Sequence, residues 1–265
     1  MRLTTRQAVV DDYAAFVRLF PELGAPDPMP TLEQFSTRIL PRAIVIEDEA
    51  RTCGYASWQV YGATAHVVQV VVDPAARGRG AGAALMRALR GRAVGEGCTR
   101  WYLNVKQDNA SAIRLYERAG FARQFESFVT RIGWAQLATL GGDAGDVTNG
   151  AVVASDDPEI AARFAIDGAR LSLLRARGLV MCGLSESGAI VGFAAFDPGF
   201  PMVYPLRVVR PSLARPLLWS LRRHADEARF DFIRMNIEGD RPLYEHLRAA
   251  GAELTFALYQ MSSAL

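Results

Sequence analysis

The chain has 265 residues, 50% of them hydrophobic, and a formal net charge of +2. That is enough apolar material for a core in one large domain or two small ones. Acidic and basic residues alternate rather than cluster, which is not the concentrated basic stripe of a nucleic-acid binder, and Lys106 is the only lysine.

No uncharged apolar run approaches the roughly 20 residues needed to cross a bilayer. The cysteines Cys53, Cys98 and Cys182 are far apart and lack metal-ligand spacing. A soluble, cytoplasmic protein without a disulfide framework, metal, membrane or nucleic-acid partner is expected. Monomer and homodimer both remain open.

The first half alternates strand and helix signals. Leu3 to Val9 reads as a strand. Asp11 and Asp12 can cap a helix through Phe20, with Tyr13, Phe16, Val17 and Phe20 on one face. Pro21, Pro26, Pro28 and Pro30 make a stiff loop. Thr31 and Gln34 fit a capping box for a short helix ending before Pro41. Ala43 to Glu47, Thr52 to Tyr61 and Thr64 to Val72 read as consecutive strands. A Gly-rich turn, Arg77 to Gly82, leads into a helix from Ala83 to about Val94. Then come a strand (Arg100 to Val105), a helix (Asn109 to Ala119) and either two short strands or one long one (Phe121 to Ile132). The order β-α-α-β-β-β-α-β-α-β is that of a mixed α/β layer fold.

Thr139 to Gly150 is rich in Gly, Asp and Thr, without periodicity, and reads as a linker. Beyond it a helix is expected over Pro158 to Arg177 and strands over Leu179 to Leu184 and Ala189 to Phe196. A helix over Leu213 to Ala228, a strand over Phe232 to Ile237, a helix over Pro242 to Ala250 and a strand over Leu254 to Gln260 follow. The order repeats that of the first half, and short stretches repeat too: WYLNV (Trp101 to Val105) against IRMNI (Ile233 to Ile237), and LYERAG (Leu115 to Gly120) against LYEHLRAAG (Leu243 to Gly251). A duplicated domain is expected, with the first copy over 1–138, a linker over 139–150 and the second copy over 151–265.

The most informative stretch is VVQVVVDPAARGRGAGAALMRAL, Val67 to Leu89. A β-branched strand enters a tight turn whose Gly78, Gly80 and Gly82 let a ligand approach the main chain. The first amides of the following helix lack intrahelical partners and carry the positive end of its dipole. With Arg77 and Arg79 beside them they suit a pyrophosphate.

The pattern Arg77-Gly78-Arg79-Gly80-Ala81-Gly82 resembles the acyl-CoA motif of the GCN5-related N-acetyltransferase (GNAT) superfamily. The preceding VVVDP and the later NVKQDNASAIRLYERAGF, Asn104 to Phe121, resemble that family's cofactor strand and second signature. The resemblance covers about residues 1 to 133 and implies two tandem domains, each a mixed, mostly antiparallel sheet flanked by helices. It implies acetyl-CoA as donor and an amine of a small molecule or peptide as acceptor. In the family a β-bulge splays the cofactor strand from its neighbour and the pantetheine arm lies in the gap. Carried over, Val70, Val71 and Val72 would meet that arm and the amides of Gly78 through Ala83 the pyrophosphate. Asn109 would bond the cofactor at the head of the next helix, and Tyr116 would protonate the leaving thiolate.

Other readings stand beside these. Gly78, Gly80 and Ala83 also fit a dinucleotide fingerprint, but the next strand ends Asn104-Val105-Lys106 without the acid that an NAD(P)-binding oxidoreductase needs. A non-catalytic acyl-CoA sensor would keep the same glycine turn. Tyr116 could be a core residue, and Asn109 is also an ordinary helix cap.

Acetyl transfer requires a neutral amine, donors for the oxyanion and a proton for the leaving thiolate. Neutralising an alkylamine at pH 7 costs roughly 4 to 5 kcal/mol. The oxyanion can be met by the amide of Val70 or Val71. Of two strand positions where relatives carry a glutamate, one maps to Asn104, which is no base, and the other to His66. His66 would share a strand face with Val68 and Val70, bulge permitting. Its competing reading is a hydrogen-bonded strand histidine, and Glu47, Asp73 or a water chain are further bases.

In the second copy DPAARGRGAG is replaced by RPSLARPLL, Arg210 to Leu218, with no glycine and with Pro216 lacking an amide. Either Tyr244 or Leu247 takes the place of Tyr116. A degenerate, cofactor-free copy is expected.

Overall fold

The computed structural model describes residues 3–24, 28–49 and 51–265. Pro26 of the expected proline loop lies outside them. The chain forms two compact units: the described residues up to Gln124 with Gln260–Leu265, and Phe125–Tyr259.

The first unit begins with β1 (Leu3–Gln7), α1 (Tyr13–Leu19) and α2 (Leu32–Gln34). Asp12 does not cap α1 forward. Its carboxylate turns back to accept from the Val9 amide at 2.8 Å and is held by Arg6 at 2.7 and 2.8 Å. The Thr31–Gln34 capping box does form, with Thr31 Oγ1 accepting from the Gln34 amide at 3.2 Å and Gln34 Oε1 accepting from the Thr31 amide at 2.9 Å. The apolar face of α1 meets the sheet through Phe16, whose ring centroid lies 4.9 Å from that of Phe35 and 5.0 Å from that of Tyr55.

Strands β2 (Ala43–Asp48), β3 (Arg51–Tyr61) and β4 (Thr64–Val72) follow, then α3 (Ala81–Gly95), β5 (Arg100–Lys106) and α4 (Ala110–Arg118). Neighbours β1 to β4 are antiparallel and β4–β5 is parallel. The crossover helix α3 lays Leu85, Met86 and Leu89, all buried, against β1 to β4.

The second unit takes most of β6 (Ala122–Gly133), then α5 (Trp134–Thr139), β7 (Thr148–Ala151), α6 (Asp157–Phe164), α7 (Gly168–Ala176), β8 (Val180–Glu186), β9 (Ala189–Asp197) and β10 (Met202–Val208). It continues with α8 (Ala214–Ser220), α9 (Arg222–Glu227), β11 (Phe232–Glu238), α10 (Arg241–Ala249) and β12 (Glu253–Ala264), whose end belongs to the first unit. Its sheet runs β6-β11-β10-β9-β8-β7, with β10–β11 the parallel pair. Each unit therefore repeats one strand and helix order.

Several elements differ from the sequence reading. The expected linker over 139–150 lies within the second unit, and its end forms β7, paired with β8. The helix expected over Pro158 to Arg177 breaks at Ala165, where φ is +52°. The one expected over Leu213 to Ala228 breaks at Leu221. There Ser220 Oγ donates to the Leu217 carbonyl at 2.7 Å, and the Leu221 amide turns to Leu218 instead, at 3.1 Å.

Candidate functional site

The site is built on β4. The β3–β4 ladder pairs Ser57 with Gln69 and Trp58 with Val67, so Val68 is an extra residue, a β-bulge. The bulge changes the facing of the strand. By register His66 shares a face with Gln69 and Val71, not with Val68 and Val70 as a regular strand would have it. Pairing with β5 ends at the bulge: the last parallel partners are Val67 and Leu103, and from there to Val72 the two strands diverge.

The ladder also says which main-chain groups face the gap. The Asp73 amide donates to the Cys53 carbonyl at 2.8 Å, so Asp73–Cys53 is a hydrogen-bonded pair. Alternation then ties Val71 to Tyr55 and turns the amides and carbonyls of Val70 and Val72 away from β3. The Val72 carbonyl accepts from Arg77 Nε at 3.1 Å. The Val70 amide and carbonyl and the Val72 amide remain directed to the gap.

At the end of β4 the chain tightens around Asp73, whose carboxylate accepts from the Ala75 amide at 3.0 Å and pairs with Arg18 at 2.5 Å. The Ala75 amide and then the Arg18 guanidinium hold this carboxyl below the usual range. Gly78 and Gly80 follow with φ of +74° and +86° and open space where a side chain would stand. The first intrahelical bond of α3 runs from the Ala84 amide to Gly80, at 3.0 Å. The amides of Ala81, Gly82 and Ala83 therefore lie ahead of the helical ladder. Gly82 packs closely against α4: a Cβ there would lie 3.0 Å from a terminal methyl of Leu115.

These parts enclose a cavity of about 580 Å³, within the roughly 300–1,000 Å³ of ligand pockets. Val70, Val71, Val72, Arg77, Gly78, Gly80, Ala81, Gly82, Ala83, Asn109 and Tyr116 all line it. His66 and Arg79 do not. The ring of His66 is stacked on Tyr102 of β5, 4.4 Å between centroids and 2° from parallel. Asn109 caps α4, its Oδ1 accepting from the Ala112 amide at 3.1 Å and from Ser111 Oγ at 3.0 Å. Tyr116, about two turns on, is 8% exposed, and burial pushes its phenol up to about 12.

Glu22, Leu115, Arg114 and Arg118 also line the cavity and were not singled out from the sequence. Arg114 and Arg118 are one helical turn apart, a signal legible in retrospect. Glu22 gave none. It pairs with Arg77 at 2.5 Å, so Arg77 spans the protein's own carboxylate and the Val72 carbonyl.

The second unit repeats the strand geometry without the cradle. Its parallel pair β10–β11 ends at Val203 and Met235, just before an irregularity at Tyr204 and Pro205. Past that point Glu238 of β11 accepts from the Tyr204 hydroxyl and the Arg207 guanidinium of β10, bridging the two strands. Asp240 caps α10 as Asn109 caps α4, and counting seven residues from each cap sets the fully buried Leu247 opposite Tyr116.

Residues 11–121 match the family described as Acetyltransferase (GNAT) family. No curated protein matches the sequence. Among solved structures, a GCN5-related N-acetyltransferase from Sphaerobacter thermophilus is 17% identical, covers 99% of this chain and 95% of its own, and superposes with a TM-score of 0.73. A putative acetyltransferase from Pyrococcus horikoshii is 16% identical with coverages of 99% and 89% and a TM-score of 0.72. A tandem GNAT protein from the clavulanic acid biosynthesis pathway is 17% identical with coverages of 99% and 98% and a TM-score of 0.67. At these identities the likeness is one of fold, and it runs the length of the chain, as the repeated element order within it requires. The family match over residues 11–121 and the fold likeness along the whole chain together describe a chain built as two tandem domains of the GNAT fold.

Proposed function

We propose that the first unit transfers the acetyl group of acetyl-CoA to a primary amine of a small molecule or peptide, and that the second is a cofactor-free copy. The observation that carries this is the gap between β4 and β5, which opens onto the unpaired amides of Ala81 to Ala83 in one cavity. Its main-chain donors fit a pantetheine amide arm, and its helix N-terminus fits a pyrophosphate.

Bound acetyl-CoA supplies the thioester carbonyl that the amine attacks. The Val70 amide, turned to the gap, is placed to donate to the oxygen that gains charge there. Tyr116, with its pKa raised to about 12, stays neutral at physiological pH and holds a proton at its phenol oxygen. Passing that proton to a free thiolate, whose conjugate acid lies near 8.5, would be uphill by about 5 kcal/mol. Tyr116 therefore acts first as a hydrogen-bond donor, and its proton moves only where the same apolar surroundings raise the thiol as well. His66, outside the cavity lining, is proposed to take the amine proton through water.

Calorimetric titration of the full chain with acetyl-CoA, beside a Gly80→Glu variant, tests the reading. The expected result is one site per chain, lost in the variant, whose side chain would bring a negative charge and a strained φ to the turn. Binding followed by release of CoA on adding amines supports transfer. Binding without turnover of any amine would favour a sensor module, and no binding would overturn the proposal.

A further inference from the structure

The cavity that carries the glycine turn is lined by one group of the wrong sign. Among the described residues around it Glu22 is the only carboxylate, and it shares the cavity with main-chain amides and an arginine suited to a pyrophosphate. A fixed negative charge opposes an incoming anion, so a simple anion cradle would leave it out.

Glu22 is held in place from both sides. It lies in the turn Phe20–Leu23 that follows α1. Before it, Phe20 is buried against Phe16 and Leu19. After it, Gly24 closes the turn with φ of +59°. The Gly24 amide donates to the Pro21 carbonyl at 2.9 Å, and the Gly24 carbonyl accepts from Lys106 Nζ at 2.6 Å. With the main chain fixed, the carboxylate moves by side-chain rotation alone. It accepts from Arg77 Nη2 at 2.5 Å, while Arg77 Nε donates to the Val72 carbonyl at 3.1 Å. Nε and Nη2 form one edge of the guanidinium, an edge that can grip a phosphate with two parallel bonds. Both sides of that edge are already engaged by the protein itself.

We propose that Glu22 is a resident anion that competes with the donor's pyrophosphate for Arg77, so that the fold carries its own brake on donor affinity and its own means of releasing CoA. The inference rests on the acetyl-CoA reading above. When the donor enters, the Arg77 fork turns from Glu22 to a phosphate oxygen. The Glu22 carboxylate, already 35% exposed, rotates into solvent. After transfer CoA still carries the pyrophosphate, and the return of Glu22 to Arg77 displaces it. A competition of this kind acts on the dissociation rate.

The test is calorimetric titration of the full chain with acetyl-CoA and with CoA at one ionic strength, for the wild type, Glu22→Gln and Glu33→Gln. Glutamine keeps the length of the side chain and removes its charge. Glu33 is exposed on α2, is not in the cavity lining, and gives the same change in net charge. Thermal melts check that both variants fold. Glu22→Gln is expected to bind both ligands about threefold to tenfold more tightly, alike for the two because they share the pyrophosphate, and to release CoA more slowly by the same factor. Glu33→Gln is expected to stay within about twofold of the wild type. Binding by Glu22→Gln alone would show the same brake at greater strength. Unchanged or weaker binding by Glu22→Gln would overturn the brake and leave the acetyl-CoA reading intact. An equal gain in Glu33→Gln would trace the effect to net charge and overturn it too. So would a gain confined to acetyl-CoA, which would place Glu22 at the acyl group. Binding of neither ligand by any of the three proteins would overturn the acetyl-CoA reading and this inference with it.

Discussion

Tyr116 and Leu247 hold the same place on α4 and α10, seven residues past an Asn or Asp cap, and both are buried. Packing alone is served by leucine, so the phenol of Tyr116 has another use, and its residue lines the cavity. Tyr116→Phe removes one oxygen and leaves the ring. Acetyl-CoA affinity is expected to stay within about twofold, while kcat falls about a hundredfold or more. The direction of the pKa shift fixes the pH behaviour. A phenol raised to about 12 is protonated, and so able to donate, at every pH below that value. The wild-type kcat profile should show no descending limb from this group up to about pH 10. A limb near pH 9 that disappears in Tyr116→Phe would contradict the burial argument, and an unchanged kcat would remove Tyr116 from the chemistry.

At the scale of elements the decisive feature is one residue too many in β4. Val68 has no partner, and just past it β4 parts from β5 and turns two main-chain positions to the gap. Deleting Val68 would leave Ser57–Gln69 and Trp58–Val67 as consecutive pairs, a regular ladder with every other residue's facing kept. The melting temperature is expected to change by no more than a few degrees, while acetyl-CoA binding weakens at least about tenfold as β4 straightens against β5. Wild-type affinity in the deletion variant would show that the bulge does not make the site. The sequence carried the local signals well. The Thr31–Gln34 box, the glycine turn and the Asn109 cap are each decided by residues a few positions apart. It did not carry the position of the bulge, because a run of valines is equally good in either register, and the facing of His66 turns on that position. Nor did it carry β7: Thr148 to Ala151 is exposed throughout and includes a glycine, so its strand character comes only from pairing with β8. The break at Leu221 depends on a single hydroxyl, Ser220, competing for a carbonyl.

At the scale of the whole molecule, strand membership does not follow the order of the chain, and a reading that runs along the sequence places the division at the Gly-rich stretch after Thr139. The first unit instead ends at Gln124 and recovers Gln260–Leu265 from the far end of the chain. Those six residues are well held there: Met261 is fully buried, and the Leu265 amide donates to the Thr99 carbonyl at 3.0 Å, beside β5. Loss of one fully buried methionine costs about 2–5 kcal/mol, against about 5–15 kcal/mol for a whole domain. Truncation after Tyr259 is therefore expected to lower the stability of the first unit by at least that amount in denaturant titration, with acetyl-CoA binding lost at the same denaturant concentration. A fragment of residues 1–138, cut at the division suggested by composition, lacks the same six residues and should unfold without a cooperative transition. The two pieces separate the contributions. If the 1–138 fragment folds cooperatively and binds acetyl-CoA as the full chain does, the terminal strand is dispensable and the first unit is complete in linear sequence. If both truncations fail, and a 1–138 fragment regains binding once Gln260–Leu265 is joined to it through a flexible linker, the cofactor domain is one that closes only when the last residues of the chain have been made.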